Sequence, residues 1–128
     1  MRTQYHSRRS ARGLCVWNVH RLIEQSAHLV REQVPLSDIQ ELDEPYWSSD
    51  RVHPLTCREI VAHARLILDC DFTYPIILSR DGRVMDGMHR VCKALLEGHT
   101  SIEAVRFVDD PEPDYIDVHP DDLPYPES

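Results

Sequence analysis

Residues 84–90 read Val-Met-Asp-Gly-Met-His-Arg, and a helix-forming run follows at once up to Gly98. Asp86, Gly87, His89 and Arg90 thus fall within five positions. If a strand ends at Asp86 and a helix starts at Met88 or His89, the first helical N–H groups lack intrahelical acceptors. They also carry the positive end of the helix dipole. Such a helix start binds anions. Gly87 makes the tight turn and lets a ligand approach the backbone closely. Arg90 adds a cation with a planar fork suited to phosphate. His89 adds a second donor, or a proton shuttle near neutral pH. Asp86 can bind Mg²⁺ through oxygen, or orient or deprotonate an attacking hydroxyl. The Met88 side chain is expected in the core, spacing the others. The competing reading is structural: Asp86 caps the helix, Arg90 pairs with Glu97, and His89 faces solvent.

The elements around this turn follow from hydrophobic spacing. Residues 1–15 show no periodicity and read as a flexible basic tail. Val19, Leu22, Ile23, Ala27 and Val30 fall near helical spacing and predict a helix over about 16–30. "QVPLSDI" reads as a short strand or extended segment, which Pro35 keeps near a sheet edge. "QELDEPYWSSDRVHP" is a long polar loop whose Tyr46 and Trp47 either plug the rim of the core or serve function. Thr56 and Glu59 form a capping-box pattern at the start of a helix over about 57–69. Ile60, Val61, Ala64, Ile67 and Leu68 are its expected buried face. "PIILS" and "RVMD", joined through Arg80-Asp81-Gly82, predict a hairpin. A helix over about 88–97 follows, with Met88, Val91, Cys92 and Leu95 inward and Gly98 at its C-terminus. A strand comes next, about 102–108. The order predicts one α+β domain over 16–108, with helices packed on a small mixed sheet. Residues 109–128 form an acidic, proline-rich arm that wraps the domain or hangs free.

Bulk properties narrow the function. The 128 residues carry a formal net charge of −8, which argues against a protein that coats nucleic acid. Arg2, Arg8, Arg9 and Arg12 make the start basic, while residues 109–128 hold eight Asp and Glu and no Lys or Arg. No long apolar run suggests a membrane segment or a secretory signal, so the expectation is a cytoplasmic protein without a membrane partner. Cys15, Cys57, Cys70 and Cys92 show no C-x-x-C spacing, and the eight His are scattered, so neither a structural metal site built on Cys and His nor a disulfide framework is expected.

Residues 32–107 resemble the ParB/sulfiredoxin-fold superfamily. The resemblance rests on "VPLSDI", the polar loop, a helix, "YPIILSRDGRVMDGMHRVCKALLEG" and "IEAVRF". It implies that the proline-led strand, the Asp-Gly hairpin and the turn opening the helix form a nucleotide-phosphate site. Sulfiredoxins carry their catalytic Cys in a G-C-H-R turn, where this chain has Met88. ParB-type partition proteins bind CTP and add a separate helix-turn-helix module. The D-G-x-H-R turn is most similar to that of the free-serine kinases of the superfamily, which it matches at Asp86, Gly87, His89 and Arg90. The resemblance implies Gly87, Met88, His89 and Arg90 as nucleotide-binding residues, Asp86 as the Mg²⁺ ligand, and Asp86 and His89 as catalytic groups. It also implies a loop acid, for which "ELDE" offers Glu41, Asp43 and Glu44, with Asp43 or Glu44 favoured. The implied function is Mg²⁺-dependent phosphoryl transfer from ATP or ADP, with CTP as an alternative nucleotide, to a small hydroxyl metabolite. The alternatives are a non-catalytic nucleotide-binding regulatory module and a ParB-like DNA-associated protein or nuclease.

Overall fold

Two apolar runs of three residues lie at the centre of the structure, a computed structural model in which residues 4–48, 54–118 and 122–124 are described. They are β4 (Ile76–Leu78) and β5 (Val84–Asp86), an antiparallel pair joined by the Asp-Gly turn. β6 (Ser101–Arg106) lies parallel to β4, and β3 (Glu32–Pro35) pairs antiparallel with β6. The four-stranded mixed sheet therefore has the order β3-β6-β4-β5, with β3 and its proline at one edge. Both faces are covered, which is why β4 is apolar at every position.

Successive residues of a strand point to opposite faces. Ile76, Leu78, Val84 and Ala104 meet α3 (Met88–Leu96) through its buried Met88, Val91 and Ala94. Ile77, Met85 and Val105 face the other way, onto Cys15, Trp17 and Leu22. The second layer comes from α1 (Val19–Ser26) and a small antiparallel sheet with β2 (Gly13–Asn18) between β1 (Tyr5–Ser10) and β7 (Tyr115–Ile116). α2 (Cys57–Asp69) packs beside α3. The α+β class is as the sequence predicts, with three helices and two sheets among the described residues. No helix among those residues is long and apolar enough to cross a membrane.

Several boundaries differ from the expectation. Residues 5–15 are not a tail: they form β1 and the first half of β2. Their signal is weak because β1 is an edge strand that fully buries only His6, with Arg8 lying half-buried over Trp17 and Arg9 exposed. Residues 16–18 end β2 rather than start a helix, since Cys15, Val16 and Trp17 form a continuous buried run. α1 stops at Ser26, and Val30 is 87% exposed. The acidic arm wraps: Asp117 accepts from Leu14 N at 2.8 Å, and Asp114 accepts from Asn18 N at 2.7 Å. Trp17 Nε1 donates to Pro111 O at 2.8 Å. Arg8, Arg12 and Arg21 pair with Asp110, Glu112 and Asp114. Two arginines of the basic start, Arg8 and Arg12, are thus paired with the acidic arm. Residues 1–3, 49–53, 119–121 and 125–128, parts of the expected tail, loop and arm, lie outside the described residues.

The helix ends follow their sequence signals. Thr56 and Glu59 form the reciprocal capping box of α2. Gly98, at φ +82°, follows the last residue of α3 and lets His99 N reach Ala94 O. The faces do not match. No residue of α2 is fully buried, and Leu95 of α3 is exposed where Ala94 is buried.

His6 is buried and stacked on Trp17, and its Nε2 has no hydrogen-bond partner. Burial, with a smaller contribution from Arg8, pushes its pKa from 6.5 down to about 4. A histidine held neutral in the fold favours the folded state fully above pH 6.5, and this contribution is lost as pH falls towards 4. His6→Phe should therefore raise the melting temperature more at pH 5 than at pH 8. An equal gain at both values would show that His6 is not held neutral.

Candidate functional site

β5 delivers Asp86 to the start of α3, and Gly87 stands between them in the left-handed region, at φ +104°. No side chain caps α3. Asp86 is therefore not the helix cap that the structural reading offered. The first amide with an acceptor inside the helix is Val91 N, on Gly87 O at 3.1 Å. The amides of Met88, His89 and Arg90 precede it and are left to outside partners.

Asp86 instead holds Arg90, one turn on, at 2.9 Å, and both side chains are mostly buried. A second N–H of the Arg90 guanidinium donates to Tyr74 O at 2.9 Å. Arg90 thus folds back over the turn, and this requires the glycine: a Cβ at Gly87 would lie 2.7 Å from both Arg90 Nη2 and Ile76 Cγ2. Arg90 does not reach Glu97.

His89 is half-buried at the same helix start. Its Nε2 lies 2.8 Å from Nδ1 of His63, on α2. The Trp47 ring stacks on both imidazoles, with centroids 4.3 Å and 4.7 Å away. Burial, then the neighbouring His63, push the His89 pKa from 6.5 to about 4. A neutral His89 can hold or accept a proton at pH 7, and it adds no positive charge to the anion site.

The polar loop folds into two 3-10 turns, Leu36–Asp38 and Gln40–Asp43. They separate the three candidate acids. Asp43 is exposed. Glu44 forms an ion pair with Arg83 at 2.5 Å. Glu41 is only 3% exposed. Its Oε2 accepts from Val84 N at 2.7 Å and forms an ion pair with Arg83 Nε at 3.2 Å, while Oε1 is buried without a partner. Tyr46 lies within the field of both acids: burial first, then Glu41, then Asp86, raise its pKa to about 12. Glu41, Tyr46, Trp47, Met88 and Cys92 line a cavity of about 150 Å³.

The expected residues Asp86, Gly87, Met88, His89 and Arg90 therefore share one turn. The loop acid beside it is Glu41, set apart from Asp43 and Glu44 by burial. Met88 is in the core as expected, and Cys92 is half-buried, its thiol pKa raised by burial and by Cys70. Sequence reasoning missed His63. The available signal was its place among Glu59, Ile67 and Cys70 on the less exposed side of α2. For Mg²⁺, the described residues hold no group of three or more His, Cys, Asp or Glu suited to a metal. Asp86 alone still fits, because Mg²⁺ usually takes one or two carboxylates and completes its shell with phosphate and water. No family model matches the chain, and neither a curated protein nor a solved structure does.

Two outcomes follow from this geometry. Gly87→Ala should destabilise the fold by about 1–3 kcal/mol, because it adds backbone strain and a clash with the fully buried Ile76. Denaturant unfolding measures it, and a loss below about 0.5 kcal/mol would contradict the close approach. An NMR titration should place the His89 midpoint at about 4. A midpoint near 6.5 would mean that the three-ring stack does not hold the imidazole neutral.

Proposed function

We propose that the start of α3 binds the phosphates of a nucleotide and that the site transfers a phosphoryl group from ATP or ADP to a small hydroxyl metabolite. The observation that carries this reading is the start of α3 without a side-chain cap, with the Asp86–Arg90 pair at the turn and the unpartnered Glu41 carboxylate oxygen on a residue that shares a cavity with Met88. The resemblance of residues 32–107 to the ParB/sulfiredoxin fold, and of Asp86-Gly87-Met88-His89-Arg90 to the kinase-type turn, supports it.

Phosphoryl transfer asks a protein mainly to position the reactants and to neutralise charge. The amides of Met88, His89 and Arg90 provide directed donors, and Arg90 provides the cation. Asp86 would hold Mg²⁺, which supplies charge neutralisation at the phosphates. The acceptor hydroxyl oxygen bonds to phosphorus as the bond to the leaving phosphate oxygen breaks. Glu41 Oε1 is a fitting acceptor for the hydroxyl proton, because it is desolvated and free of other hydrogen bonds. Arg83 and Val84 N hold the other oxygen and so fix the carboxylate.

A thermal-shift screen of ATP, ADP, CTP and GTP with Mg²⁺ tests the binding. At least one nucleotide should stabilise the wild type, and Arg90→Ala, checked for folding, should weaken that shift at least ~10-fold in ligand concentration. No shift with any nucleotide would sink the phosphate site. With the stabilising nucleotide and a panel of hydroxyl metabolites, Glu41→Gln should lower product formation by roughly 10²–10⁴-fold. Binding without any product would leave the non-catalytic nucleotide-binding module as the reading.

A further inference from the structure

α2 packs one side on its own chain and leaves an apolar stripe exposed on the adjacent side. At 100° per residue, Glu59, His63, Ile67 and Cys70 lie on one side, and these are its less exposed residues. Cys57, Ile60, Val61, Ala64 and Leu68 lie on the adjacent side, all exposed. Ile60, Val61 and Leu68 are 54%, 61% and 62% exposed. Cys57, Val61, Ala64 and Leu68 follow the alternating four-and-three spacing of a helix–helix seam. A 13-residue helix is marginal alone and takes its stability from packing, yet α2 buries no residue fully within its own chain.

We propose that this outer stripe of α2 is a homodimer interface, closed by α2 of a second copy running antiparallel across a two-fold axis near Ala64. Three features favour a second copy over another partner. The small Ala64 sits mid-stripe, with Ile60 and Val61 on one side and Leu68 on the other. Around a two-fold axis at Ala64 the helices approach closely, and each Leu68 drops between Cys57, Ile60 and Val61 of the other copy. An isologous contact needs such a self-complementary patch.

The second feature is charge. Arg58 and Asp69 lie on the same flank of α2, eleven positions apart, and both are exposed. Antiparallel pairing brings equal flanks together, so Arg58 of each copy meets Asp69 of the other. The two pairs form reciprocally.

The third is area. α2 is about 20 Å long. Its stripe covers roughly half of the ~800 Å² per partner of a standard interface. Phe72, three residues past the end of α2, and Leu96, on α3, are further exposed apolar side chains. The sum fits a weak dimer, with a dissociation constant on the order of micromolar.

Sedimentation of the whole chain over a concentration series tests this, with circular dichroism as the folding check. Wild type should pass from monomer to dimer with rising concentration. Arg58→Glu and Asp69→Arg, each placing like charges opposite one another twice, should each raise the dissociation constant ~10-fold or more. The double swap should restore it to within ~3-fold of wild type. A wild type that stays monomeric at all concentrations overturns the interface. So does a dimer that neither single change weakens, or one that the double swap fails to restore. None of these residues belongs to the phosphate turn, so nucleotide binding can fail without affecting this outcome.

Discussion

The four-stranded sheet is apolar on both faces, and the rest of the chain is arranged to meet that constraint. β4 and β5 are three residues each, too short to hold as a two-stranded hairpin in water. They persist because α3 seals one face through Met88, Val91 and Ala94. Trp17 and Leu22 seal the other. The second cover consists of α1 and the sheet around β2, and β2 is held in turn by the acidic arm. Asp114 and Asp117 take up the backbone N–H groups of Asn18 and Leu14 that the short β7 leaves unpaired. The charge asymmetry along the sequence therefore serves the fold. Arg8 and Arg12 of the basic start meet Asp110 and Glu112 of the acidic arm.

The same constraint builds the candidate site. Because β5 ends against the core, the chain must turn sharply into α3, and Gly87 at φ +104° makes the turn. The absence of a Cβ also gives Arg90 room to lie back on Asp86. A mostly buried pair of this kind costs desolvation, and its second hydrogen bond to Tyr74 O helps offset that cost. Arg90 and Asp86 thus stand paired at the turn, beside the first amides of α3. Glu41, which lines a cavity together with Met88, keeps one oxygen on the backbone of Val84 and one without a partner. A buried, unsatisfied carboxylate oxygen is costly, and native proteins retain such groups mainly where chemistry uses them.

The legible parts of the sequence were those set by local rules. The capping box at Thr56, the Asp-Gly hairpin, Gly98 after α3 and the turn at Asp86 each depend on a few adjacent residues, and each stands where those residues place it. The illegible parts depend on distant partners. "YHSRRS" becomes a strand only because β2 lies beside it. "GLC" reads as tail and "VWN" as the start of a helix, but tertiary burial of Cys15, Val16 and Trp17 makes all six residues one strand. The loop acids look equivalent in sequence. Burial beneath Val84 singles out Glu41, and only the fold supplies that difference.

α2 links the two halves of the functional argument. Its less exposed side carries His63 against His89 and Trp47, so the position of the helix sets one wall of the phosphate turn. Its other side is the exposed apolar stripe. A helix that buries no residue fully is restrained by little apart from its contact with α3, and the ring stack is part of that contact. A partner on the outer stripe would add restraint at the point where the site depends on α2 for its geometry. Positioning a reacting group within an ångström requires a rigid support behind it, and here that support includes a helix held on one side only.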